Sequence, residues 1–134
     1  MKNYTRYKDY YNTSFIPLLK DFKNYKTLDF ASEDIQRQFC SNLVVLFETT
    51  YLLLKYFLQN NGLFQFKEID VFREAFQIDF LENGEEWIKL IHFADFYQKE
   101  GYSFQLFTEM LNFINIYGYI FDNINKKFEE LCNE

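Results

Sequence analysis

Proline occurs once, glycine four times, cysteine twice and histidine once in this chain of 134 residues. So few turn formers exclude a sandwich or barrel of many short strands, where each hairpin asks for its own Gly, Asn or Asp. Cys40 and Cys132 lie far apart, and with His92 they fall short of the about four closely spaced ligands of a zinc site. They read as two reduced, mostly buried thiols. No phosphate loop or dinucleotide fingerprint can be assembled from four scattered glycines. Continuous apolar runs such as Leu43–Phe47 are far shorter than the ~20 residues that span a bilayer. Met1 to Asn12 is polar and tyrosine-rich, without the basic start and apolar stretch of a leader. The expectation is a cytoplasmic protein without a membrane partner.

What is abundant is the aromatic side chain: 18 Phe and 11 Tyr, within an apolar fraction of 49% that excludes disorder. The length suits one domain, residues 1–134, with a single core. Net charge is −6, and the basic residues are scattered, with Lys126-Lys127 the only adjacent pair. Nucleic-acid binding draws on Lys and Arg that displace counterions from phosphates, so autonomous binding of RNA or DNA is disfavoured.

Few breakers and steps of three and four between apolar residues point to an all-α, antiparallel up-and-down bundle of four long helices plus a short one. Tyr4, Tyr7, Tyr11, Phe15, Leu18, Phe22 and Tyr25 form one stripe, with a kink or break expected at Pro17. Ser32 is a candidate N-cap ahead of Glu33 and Asp34. The helix it opens puts Leu43, Phe47, Thr50, Tyr51, Leu54 and Leu58 inward and stops at Asn60-Asn61-Gly62. A third helix runs from about Lys67 to Leu81 with Val71, Phe72, Ala75, Phe76 and Phe80 as its apolar row. After Glu82-Asn83-Gly84, a fourth spans about Glu85 to Lys99, with Trp87, Leu90, Ile91 and Ala94 inward. Ser103 caps a continuous last helix to about Leu131, roughly 40 Å long. Its two stripes, one of them starting at Phe104, are wider than a single neighbour covers, which suggests a homodimer.

Catalytic signatures are scarce. A di-iron bundle needs a Glu-x-x-His motif on each of two helices, and His92 alone cannot supply two. The adjacent pairs Glu33-Asp34, Glu85-Glu86 and Glu129-Glu130 diverge by about 100° on a helix and read as solvated faces. In Val71-Phe72-Arg73-Glu74-Ala75-Phe76, however, Arg73 and Glu74 interrupt an apolar row. The plainest reading is a surface Arg paired with a nearby acid, worth under ~1 kcal/mol.

The run VFREAFQIDFLENGEEW, positions 71 to 87, resembles the signature of the nucleotidyltransferase substrate-binding proteins, a branch of the HEPN superfamily. That signature reads V-F-R-E-A-F, an apolar pair, then D-G-E-x-W. Upstream, Phe47-Glu48, Tyr51, Lys55 and Gly62-Leu63 fall where the family has F-E, W, K and G-I, so the resemblance covers about residues 35 to 131. It implies a HEPN-like helical bundle that dimerises and associates with a minimal nucleotidyltransferase, with a nucleotide as the small ligand. Many such pairs resemble toxin–antitoxin modules in which the HEPN partner cleaves RNA and is neutralised by nucleotide addition to a tyrosine.

Cleavage in that family rests on an Arg that holds phosphate and, four to six residues on, a His that transfers protons. Those positions fall on Ala94, followed by Asp95, and on Lys99. The modified tyrosine falls on Gly101, with Tyr102 one place later. Alanine cannot bind phosphate, and an ordinary lysine stays protonated at neutral pH. The resemblance thus implies a non-catalytic binding protein without cofactor or metal. Its candidate partner- or nucleotide-binding residues are Arg73, Glu74, Glu85, Trp87, Asp95, Lys99 and Tyr102. The alternatives are an RNase using His92, Asp95, Lys99 and Tyr102, and a free-standing interaction dimer.

Overall fold

A computed structural model of the chain describes residues 5–64 and 67–133. Tyr4, the first member of the expected N-terminal stripe, lies outside the described residues. The first rod begins as α1 (Arg6–Tyr10), passes through a π-helical turn at Tyr11–Phe15 into α2 (Ile16–Phe22), and tightens into a 3-10 turn at Lys23–Thr27. Pro17 therefore widens the helix ahead of itself and does not break it. Its ring crowds the carbonyl four residues back and its nitrogen donates nothing. In the π turn the Ile16 N–H reaches back to the Tyr11 carbonyl, which makes the wider turn that accommodates the ring. Tyr7, Tyr11, Phe15, Phe22 and Tyr25 of the stripe are all buried.

The axis of the molecule is α3 (Glu33–Asn60). Ser32 occupies its N-cap position in an extended conformation, but its side chain makes no capping bond. The helix buries more than the expected stripe: Leu46, Thr49 and Leu53 are enclosed as well as Leu43, Phe47 and Leu54. The reason is that α1, α2, α5 and α6 all pack against it. Thr50, fully buried, donates its hydroxyl to the Leu46 carbonyl at 2.8 Å and so leaves no unpaired polar atom there. The helix stops where Gly62 takes φ 80° and the N–H groups of Gly62 and Leu63 return to the carbonyls of Gln59 and Leu58.

Helix α4 (Glu68–Gln77) ends four residues earlier than the periodicity suggests. Asp79 adopts φ 60°, and the N–H groups of Asp79 and Phe80 bond back to Phe76 and Ala75, the same terminating geometry as at Gly62. Phe76, expected in the core, is 53% exposed. Its ring lies over Gly84, where an added Cβ would meet it at 3.3 Å.

Helix α5 (Gly84–Glu100) follows a turn with Asn83 in the left-handed region. Ser103 then caps α6 (Phe104–Tyr117), its Oγ accepting the Leu106 N–H at 3.0 Å. The expected single final helix is interrupted at Gly118, and the chain resumes as α7 (Tyr119–Cys132). A Cβ on Gly118 would stand 2.6 Å from the Ile114 carbonyl oxygen, so the turn fits only glycine without rearrangement. Phe104, expected on an inner stripe, points outward.

Ring contacts fix the topology. Tyr7 meets Phe57 and Phe22 meets Phe39, so the first rod runs antiparallel to α3. The Gln98 side chain reaches Glu48, and Tyr102 just beyond α5 reaches Gln36, so α5 runs down α3; Phe107 meets Phe39 and Phe128 meets Phe57, so α6 and α7 run up it. The result is an all-α bundle of four long rods and the short α4, with no strand among the described residues. Phe15, Phe39, Phe47, Trp87, Phe121 and Phe128 are among its largest fully buried side chains. Each contributes on the order of 1.5–3 kcal/mol through removal of apolar surface from water.

Candidate functional site

The residues of the 71–87 run separate into a core and a rim. Phe72 stacks between Phe47, with centroids 5.5 Å apart, and Trp87 at 5.3 Å; Trp87 in turn meets Phe121 edge-on at 5.1 Å. Trp87 is 1% exposed and joins α4, α5 and α7 from within. Arg73 is exposed on α4 and pairs along its own helix with Asp70 at 3.9 Å. Glu74 is half-buried on the same helix, and Glu85 is exposed in the first turn of α5. Arg73 and Glu85 both line a cavity of about 380 Å³ between α4 and α5, together with Ile69, Phe72, Phe76 and Ile88.

Ala94, where the resemblance puts the phosphate-holding Arg, is 3% exposed and faces the core. Asp95 and Lys99 are exposed on α5, yet they are not among the ion pairs of the described residues. Asp95 instead raises the pKa of Glu68, after burial of that carboxyl and ahead of Glu48. Tyr102 lies in the loop before α6. Its hydroxyl donates to Gln36 Oε1, and Gln36 Nε2 donates to the Phe30 carbonyl at 2.7 Å, so one buried amide ties two loops to the start of α3. The Arg37 guanidinium covers the Tyr102 ring at 4.4 Å and also bonds Glu33. The phenol's pKa is raised by desolvation first and by the Glu33 charge second. Asp95, Lys99 and Tyr102 do not line the cleft onto which His92 opens.

His92 opens instead onto a cleft between α5 and α6, of about 710 Å³, with Phe93 and Leu106 at its floor. Glu85, Lys89 and Glu109 also line an adjoining cleft of about 480 Å³ that ends at Ile116 and Tyr117. The Lys89 ammonium lies 5.8 Å from the centre of the Phe93 ring, between the two halves. Sequence reasoning missed this surface. Its signal is a second row on α5, Glu85, Ile88, His92 and Phe96, at steps of three and four behind the inward row of Trp87, Leu90, Ile91 and Ala94.

The thiols offer no activated nucleophile. Burial pushes Cys40 up to about 11 and raises Cys132 as well, so both stay protonated at neutral pH. Among the described residues no group of three or more His, Cys, Asp and Glu side chains is arranged to hold a metal ion. No described helix is long and apolar enough to cross a membrane. Comparison with protein-family models, curated proteins and solved structures finds no match to this chain.

Proposed function

We propose that this chain is a non-catalytic, HEPN-like recognition subunit that pairs with a second copy and associates with a minimal nucleotidyltransferase. The observation that carries the reading is Ala94. A phosphate-gripping Arg in that register would have to occupy a position enclosed by the core, and Ala94 there is 3% exposed. The Phe72–Trp87 stack supports the resemblance, since it gives the signature residues a common task in holding α4 against α5. The exposed apolar residues on α4, α5 and α6 support a binding role.

The test is to capture the tagged chain from native lysate and weigh both the complex and the intact subunit. The expected result is an assembly with a small nucleotidyltransferase, while the purified protein leaves total RNA intact. RNA cleavage abolished by His92→Ala or Lys99→Ala would replace this reading with a ribonuclease; a dimer with no transferase would replace it with a free-standing interaction protein.

A further inference from the structure

The α5–α6 cleft has the form and charge of a receptor for one kind of partner, and we infer that it docks a basic amphipathic helix of another protein. This deepens the recognition reading and rests on it, but it does not depend on which protein supplies the helix.

Length comes first. On α5 the cleft runs from Glu85 to Phe96, and on α6 from Gln105 to Ile116. At 1.5 Å per residue each edge is about 16 Å long, three turns of an opposing helix. Two antiparallel helices with apolar residues along the seam present the trough into which a third helix lays its apolar face. The seam is apolar at both ends: Phe96 is 49% exposed, Ile116 is 60% exposed, and Ile88 is half-buried between them. Exposed apolar side chains aligned along one open cleft mark an interaction surface more than scattered ones do.

Charge then selects the occupant. Glu85, Glu86 and Glu109 line the cleft against a single ammonium, Lys89, which leans on Phe93. The chain as a whole carries −6. A second copy seated here would bring the same surplus of carboxylates against its own equivalents, and like charges brought together across an interface are unfavourable. A helix with lysine or arginine flanking its apolar stripe meets the three carboxylates instead.

The test uses the full chain and two synthetic 18-residue helical peptides with one leucine stripe, one carrying lysine at the positions flanking that stripe and one carrying glutamate there. The lysine peptide is expected to bind about tenfold or more tightly at low salt, an advantage that shrinks as salt is raised. Hydrogen-exchange protection should fall on α5 and α6. Phe96→Asp should weaken binding about tenfold while leaving the thermal melt in place, because half of that side chain is already in water. Ile116→Asp gives a second, independent reading at the other end. Glu85→Lys with Glu109→Lys should reverse the preference toward the glutamate peptide. Equal affinity for the two peptides, protection elsewhere, or a homodimer that protects α5 and α6 would overturn the inference. Absence of any captured transferase would overturn the assignment of the partner in the recognition reading while the peptide result still stood, so the two failures are distinguishable.

Discussion

The hydroxyl of Tyr11 donates to the side-chain oxygen of Asn125 at 2.7 Å, joining two residues 114 positions apart. The bond fastens the π turn of the first rod to α7, and the Tyr11 ring stacks on Phe128 at 5.8 Å beside it. The turn provoked by Pro17 is therefore anchored by a polar contact on its inner side and by aromatic packing around it.

That enclosure makes the protein sensitive to alkali. Burial, then the charges of Glu129 and Cys132, push the Tyr11 phenol up to about 12, and burial raises Tyr25 in the same direction. The folded-state value lies above the ordinary one near 10, so the folded chain holds the proton more tightly than the unfolded chain does. The associated stability is complete below pH about 10 and lost as pH climbs toward about 12. Denaturation midpoints should fall over that window together with the rise of phenolate absorbance. Tyr11→Phe should cost about 1 kcal/mol at neutral pH and reduce the alkaline loss. A midpoint that stays level through the window would contradict the assignment.

Trp87 and Arg73 belong to the same run of sequence but should differ sharply in the cost of truncation. Trp87→Ala removes the ring packed between Phe72 and Phe121 and should cost about 3–5 kcal/mol, a large part of the stability of a domain this size. Arg73→Ala, which removes an exposed partner of Asp70, should shift stability by no more than about 0.5 kcal/mol. Urea unfolding of the two variants separates a core role from a rim role. Equal and small effects would mean that the indole does not hold α4, α5 and α7 together.

The rods were legible in the sequence because helix starts and stops have chemical signs. Gly62 marks a left-handed stop and Ser103 a cap, and both act as such. The break at Gly118 was not legible, because the apolar period passes through it and only the approach of the Ile114 carbonyl reveals the turn. The early end of α4 depends on a positive φ at Asp79, a conformation that aspartate tolerates but does not announce. Phe76 was misassigned for another reason: it is helical as expected, but its ring lies over Gly84, which has no side chain to cover it, and stays half in water. The cleft escaped notice because Ile88, His92 and Phe96 look like the polar-side scatter of a helix until α6 is set beside them.

Glu68 gives a prediction of the same sign at the acid end of the pH range. It is the first residue of α4, where the helix dipole favours a negative charge, yet its pKa is raised, chiefly by burial and then by Asp95 and Glu48. Desolvation and repulsion therefore outweigh the dipole. Because the folded-state value lies above the unfolded one, the ionised carboxylate costs stability at neutral pH. The chain recovers that cost as pH falls through the folded-state value. Glu68→Gln should accordingly raise stability at pH 7 by about 0.5 kcal/mol and bring progressively less benefit as the native carboxyl becomes protonated. Asp95→Asn should relieve part of the same repulsion, so the double variant should gain less than the two single variants added together. If Glu68→Gln instead lowers stability at pH 7, the dipole at the start of α4 outweighs burial and the repulsion from Asp95 and Glu48.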